Sequence, residues 1–357
     1  MYGMIKYVKF LIIVFIVINF SCNNSKDSKN LSFREFNKKV NMEDRFVEKL
    51  SLKGCYNPSS VHVFDTLLIV TQKRIEKGIF SFYSLKNHKL LASFGKQGKG
   101  PGEFIAPAIT NVDKHNKWLW FIDYPKTTFY AFSIQEILKG PRNIKPVKVI
   151  KFNQSLMPVF TYKVLADTSI LLSSSNNSSL LTLINSKGEI IETYGEQPMF
   201  DSPDLPERVY RSLHSRFLTY NDKTDEVVLS YLYYDKLLKY NLTTGEYLIT
   251  TGPDNIKQKA KAKEDGSMYR PITLIKGYFY TIKSDDDKIF ALYLGGQYIN
   301  EDITENLPHN IHVFNWELSP SANLIFKKGV RSFDFFNKKN LLYTISKEGS
   351  VDVYRLP

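Results

Sequence analysis

From residue 45 to the carboxy terminus, short apolar runs alternate with clusters of Gly, Asn, Asp, Ser and Lys, and the runs come in fours. The set of four recurs at about fifty residues, the period of a propeller or solenoid. The first unit reads Val61–Phe64, Leu67–Thr71, Ile79–Leu85 and Leu90–Phe94. Units two and three repeat this from Ile109 and Thr161, and the fourth reads His214–Tyr220, Glu226–Tyr231, Lys236–Asn241 and Glu246–Thr251. The fifth is less regular: Tyr278–Lys283, Lys288–Leu294, Asn310–Trp316 and Asn323–Lys328. The sixth has Val330–Phe336, Leu341–Ser346 and Ser350–Leu356, and no fourth run follows.

One upstream run has no partner of its own. Phe46–Gly54 alternates like an outer strand and ends in Lys-Gly, as the fifth unit does at Lys328-Gly329. Pairing it with the last unit closes a ring, whereas an open ring would leave two apolar sheet faces in water. The pattern therefore predicts an all-β, six-bladed β-propeller over residues 45–357, with the amino-terminal strand closing the last blade. A pair of β-sandwiches, the competing fold, explains neither the repeat nor the orphan run.

The amino terminus reads as an address. Lys6 and Lys9 precede the apolar run Phe10–Ile18, which is followed by Asn19-Phe20-Ser21-Cys22. A basic start and a run this short make a secretory signal over residues 1–21. A small residue directly before a cysteine resembles a bacterial lipoprotein box, with Cys22 as lipid attachment site; Asn19 stands where that box usually has Leu. An ordinary signal peptide or an uncleaved anchor is the alternative. Residues 23–30 are polar without apolar period, so residues 22–44 are expected to be a flexible tether. The chain would then sit in the cell envelope, on the outer membrane, held by its lipid.

The segment Phe94–Phe104 places four glycines and a proline between two aromatic residues, a composition suited to a sharp crossing between sheets. With Pro107, Ile109, Val112-Asp113, Trp120-Phe121-Ile122-Asp123 and Phe132, it resembles an NHL-type propeller repeat. More closely, the chain is similar to the six-bladed, TolB-like propeller lipoproteins of Bacteroidetes. The run Ile311–Trp316, with Phe333 and Tyr343, also resembles the last two blades of that family. The resemblance implies a fold and an envelope location and supplies no chemistry.

Candidate chemistry is sparse. Of six histidines, His62 and His214 fall on innermost strands, in opposite blades, and zinc needs three or more converging ligands. Asn111, Asp113 and Asp334 form no complete set for a metal-dependent lactonase or lyase, which remains the alternative function. Asp285-Asp286-Asp287 is a solvated turn rather than a spaced calcium loop. The crossing lacks the Gly-Lys-Ser/Thr of a phosphate loop, and no Gly-x-Ser-x-Gly occurs. Cys55 reads as a lone structural thiol. No catalytic residue, metal or cofactor is expected.

Two insertions break the rhythm, Glu196–Ser212 and Gly252–Lys276, both joining an outer strand to the next inner one. They emerge on one face, with Gly296–His309. That face, through Tyr210, Arg211, His214, Tyr269 and Arg270, is the candidate binding surface for an envelope protein or glycan. Net charge is +12, or +10 without Lys6 and Lys9, but the basic residues are scattered along the chain. A nucleic-acid footprint would concentrate them, so no nucleic-acid partner is expected. With 25 Phe and 22 Tyr, the composition is that of a strand-rich body.

Overall fold

A computed structural model describes residues 29–357 apart from 33, 74–76, 141–143, 175–177, 201–205, 255–260, 263–267, 270–275 and 299–306. The proposed signal and Cys22 lie outside the described residues. The chain forms six radial sheets, each led by an innermost strand A and running outward to strand D. Strands B are buried almost throughout: Leu67–Gln72, Trp118–Asp123, Ile170–Ser174, Glu226–Tyr231 and Leu341–Ser346. Both faces of such a strand pack against neighbouring blades, so it reads as an unbroken apolar run. Strands D lie at the rim, and Ile190–Glu196 is exposed over most of its length.

The closing strand is where the sequence pattern places it. Phe46–Leu50 pairs antiparallel with Val351–Arg355, with Leu50 opposite Val351 and Phe46 opposite Tyr354. Leu50 enters the cluster of Val61, Val70, Ile345 and Val353 between blades six and one. Phe46 meets Tyr354 edge-on at 5.6 Å.

The polarity of residues 22–44 points to a flexible tether, and the structure corrects that expectation over the residues it describes. Lys29–Leu31 adds in parallel to the D strand of blade four, Tyr247–Thr251. Lys38–Asn41 adds in parallel to the D strand of blade five, Pro320–Ile325. An outer strand leaves a row of unpaired amides and carbonyls, which an extended chain can satisfy without much apolar content of its own. Three apolar side chains then fasten this strap. Phe36 packs on His312 and Phe314, at 4.4 and 5.7 Å. Val40 and Met42 are buried among Phe290, Leu324 and Phe326. The described residues between 29 and 50 thus run around the rim of blades four, five and six.

Two further strand limits differ from expectation. In blade five the D strand begins at Pro320 rather than Asn323, because a tight turn closes early. Leu318 takes φ +57° there, and the Asn315 side chain accepts from Ser319 N at 2.8 Å. In blade four strand A is Arg216–Asn221, and His214 lies outside it, capping the helix Glu207–Leu213. That helix has a readable basis: Val209 and Leu213, four apart, are fully buried, and Glu207 pairs with Arg211.

The crossing Phe94–Phe104 joins blades one and two through aromatic packing. Phe94 and Phe104 sit with Phe80, Phe121 and Phe132 in one cluster. Glu103 accepts from Gly100 N at 2.9 Å and pairs with Lys96, and a Cβ at Gly98 would overlap its carboxylate. Asp123 is buried and accepts from Ile105 N and Ala106 N at 3.1 and 2.9 Å.

Candidate functional site

The described part of the first long D–A insertion packs on its blade through a partly buried aromatic platform. The His214 ring stacks on Phe200 at 5.5 Å and lies 4.2 Å from Tyr210 and 5.0 Å from Tyr234. Its Nδ1 is 2.9 Å from Tyr210 O and its Nε2 is 3.1 Å from Pro198 O. Burial pushes the His214 pKa down to about 4, although the carbonyl contacts pull the other way. A neutral imidazole donates through only one nitrogen, so the ring clamps the insertion with one bond at a time. This corrects its assignment to the binding surface: His214 has no exposed area and supports the face from below. Arg211 stays partly exposed beside Glu207, and the Tyr210 hydroxyl donates to Pro198 O at 3.3 Å. Tyr269 ends the short hairpin Lys261–Ala262 with Met268–Tyr269, which lies against the helix. Arg270 lies outside the described residues.

Beneath this platform is a residue that sequence reasoning passed over. Arg216 is fully buried and donates to Leu180 O at 2.6 Å, Ser179 O at 2.9 Å, His214 O at 3.0 Å and Gln197 Oε1 at 3.1 Å. Among the described residues no carboxylate pairs with it. A ring of carbonyl dipoles from blades three and four replaces the counter-ion. A second missed group stands at the root of the other insertion. Tyr293 Oη lies 3.1 Å from Asp235 Oδ2 and 2.9 Å from Asp254 Oδ2, and Asp254 N donates to Asp235 at 2.8 Å. Burial, then the two carboxylates, raises the Tyr293 pKa far above its usual value. One phenol proton serves two carboxylates, which ties the B–C loop of blade four to the insertion that follows. Neither group has a local sequence signal, since each joins residues distant in the chain.

The tunnel side chains hold blade edges. Asp334 accepts from Val63 N at 2.7 Å and from Lys283 Nζ at 3.2 Å, and Lys283 also donates to Val61 O at 3.2 Å. Ser332 accepts from Val61 N, and Asn111 donates to Tyr162 O, both at 3.3 Å. Asp113 accepts from the amides of His115 and Asn116 in its own turn. Thus Asn111, Asp113 and Asp334 are not brought together. They satisfy innermost strands and turns that would otherwise lack partners. His62 is also on an innermost strand, where burial and then Lys283 keep its pKa well below normal. Among the described residues no group of three or more His, Cys, Asp or Glu side chains is placed to hold a metal.

The sequence matches the TolB-like 6-blade propeller-like family over residues 35–337, most of the chain. The chain belongs to this family. Among solved structures, a DUF4221 family member from Bacteroides vulgatus superposes with a TM-score of 0.57 at 11% identity, covering 87% of this chain and 96% of its own. A protein of Bacteroides fragilis described as exported gives 0.56 at 12% identity, covering 92% and 100%. At such identities these likenesses show the fold alone. No curated protein matches the sequence.

This TolB-like propeller also has a cavity of about 250 Å³ on the opposite face, between blades five and six. Phe290, Val313, Leu324 and Leu356 line it below, and Asp285, Asn337 and Asn340 stand at its mouth. Asp285 is engaged there by Asp287 N, Lys288 N and Asn337 Nδ2.

Proposed function

We propose that this TolB-like propeller is a lipid-anchored binding module of the cell envelope, engaging an envelope protein or glycan through the D–A face of blades three to five. The observation that carries this reading is the platform of Phe200, Tyr210, His214 and Arg216, which packs an insertion onto its blade while leaving Arg211 partly exposed beside Glu207. A rigid base under variable loops is how propellers and sandwiches present recognition surfaces. Tunnel polar groups engaged in holding strands support binding over catalysis. The signal-like run before Cys22, together with the exported description of the Bacteroides fragilis relative, supports envelope placement.

The test places a photocrosslinking phenylalanine analogue at position 211 or 269, and at 338 on the opposite face, in cells that export the protein. Cross-links to one envelope component from 211 and 269, absent from 338, are expected. Equal yields from all three positions would reject the face. A stoichiometric divalent ion in the purified protein would favour the lactonase or lyase alternative.

A further inference from the structure

The strap reaches the rim of the propeller from one definite side. Lys29 pairs with Leu248, near the start of its D strand, and runs parallel to it. D strands start at the C–D turns, on the A–B face, and end at the D–A face. The chain therefore joins the rim of blade four from the A–B side. Only seven residue steps separate Cys22 from Lys29, a reach of at most about 25 Å.

Six of the exposed aliphatic side chains stand at this same end of the rim. Leu90 and Leu91 open the D strand of blade one, Val147 and Val149 flank the start in blade two, and Ile190 and Ile191 open blade three. Leu91, Val149 and Ile191 are each half-exposed or more, at 50%, 52% and 53%. Lysines accompany them: exposed Lys86 and Lys89 in blade one, Lys145 in blade two and Lys187 in blade three. Of the nearby acids, Glu136 is ion-paired with Lys139, whereas Glu189 and Glu192 accept from the neutral Asn185 and Tyr194, so the four lysines are only partly offset. Blades four to six have the strap at the rim instead.

We propose that the lower rim of blades one to three lies against an anionic bilayer, so that the D–A face points away from the membrane. The proposal rests on the lipid-anchor reading. The short leash, the side from which it arrives, and a rim mixing aliphatic and basic side chains select a lipid surface as the occupant. Aliphatic groups enter the headgroup boundary while lysines meet anionic lipid, the pairing that makes interfacial contact stable.

Two measurements separate this proposal from the anchor reading. The exported protein, with Cys55→Ser, carries an environment-sensitive fluorophore at Leu91→Cys, Ile191→Cys or Lys328→Cys, the last on the D–A face, and is reconstituted in phosphatidylglycerol-containing vesicles. Blue-shifted emission and quenching by brominated lipid are expected at 91 and 191 and not at 328. With Cys22 shown acylated by mass spectrometry, equal quenching at all three sites, or none at 91 and 191, would overturn the proposal. Shielding of 91 and 191 only on adding envelope proteins would assign the rim to a protein and overturn it equally. An unmodified Cys22 would instead sink the anchor, and a second measurement then decides. The full chain with Cys22→Ser should bind the same vesicles in a salt-sensitive way. Each lysine near the surface is worth on the order of fivefold in binding, so Lys86→Glu with Lys89→Glu should weaken it roughly 25-fold or more. No binding by the Cys22→Ser chain, or binding unaffected by the charge reversal, would reject the rim.

Discussion

Replacing Arg216 with Met asks whether a caged cation holds blade four to blade three. The guanidinium has no exposed area, and its donors go to carbonyls of Ser179, Leu180 and His214 and to Gln197 Oε1. Hydrogen bonds from a charged donor contribute about 1.5–3 kcal/mol each, and four such contacts set an upper scale of roughly 10 kcal/mol. Against them stands the penalty for burying the charge, several kcal/mol after relaxation. Methionine removes both and fills much of the volume, but it leaves buried carbonyls without a donor, at about 1–3 kcal/mol apiece. With the bonds and the burial penalty roughly offsetting each other, what remains is the cost of the orphaned carbonyls of Ser179, Leu180 and His214, a net loss of about 3 kcal/mol. With a urea slope of about 3 kcal/mol/M for a chain of this size, the unfolding midpoint should fall by about 1 M. Urea titration followed by tryptophan fluorescence reads this directly. Arg216→Lys should do no better than Met, because one ammonium cannot span carbonyls from two blades while still carrying the charge into the interior. An unchanged midpoint for Met, or full rescue by Lys, would refute the cage.

Other outcomes follow from single features. Met42→Ala, in the strap, should lower stability by about 2–3 kcal/mol in the same titration, since the side chain is fully buried between blades five and six; a neutral result would mean the strap is only loosely laid on. His312 is nearly buried among Phe36, Tyr293 and Phe314, its Nδ1 has no partner among the described residues, and burial lowers its pKa to about 3. Because the unfolded chain takes up this proton more readily, the wild type should lose stability as pH falls from about 6.5 towards 3, and His312→Phe should flatten that loss without weakening the fold at pH 7. An acid slope identical in the two proteins would rule this out. Gly252→Ala would drive a Cβ into the Asp235 carboxylate and part it from Tyr293 and Asp254, so faster amide exchange is expected in the insertion that follows, with the other blades unchanged.

The functional surface was legible only in part. Composition and turn residues mark both D–A insertions, and Tyr210 and Arg211 do fall on one helical turn. His214 was misplaced because a helix with only Val209 and Leu213 as buried apolar anchors is hard to tell from the strand that follows it. Arg216, Asp235, Asp254 and Tyr293 were invisible because their roles are made by partners dozens of residues away. A buried arginine and a surface arginine look alike until the surrounding carbonyls are known.

For the body of the chain, period alone was decisive. A strand enclosed on both faces must be apolar throughout, so the B strands declare themselves, and four strands per repeat with one left over at the front leave a closed six-fold ring as the economical solution. The strap was a matter for tertiary structure: Lys29–Leu31 and Lys38–Asn41 are polar enough to read as linker, and they become strands because blades four and five present unpaired edges to them. Backbone hydrogen bonding carries no side-chain signature, and so the path of the amino terminus along the blade edges emerges only once the ring is closed.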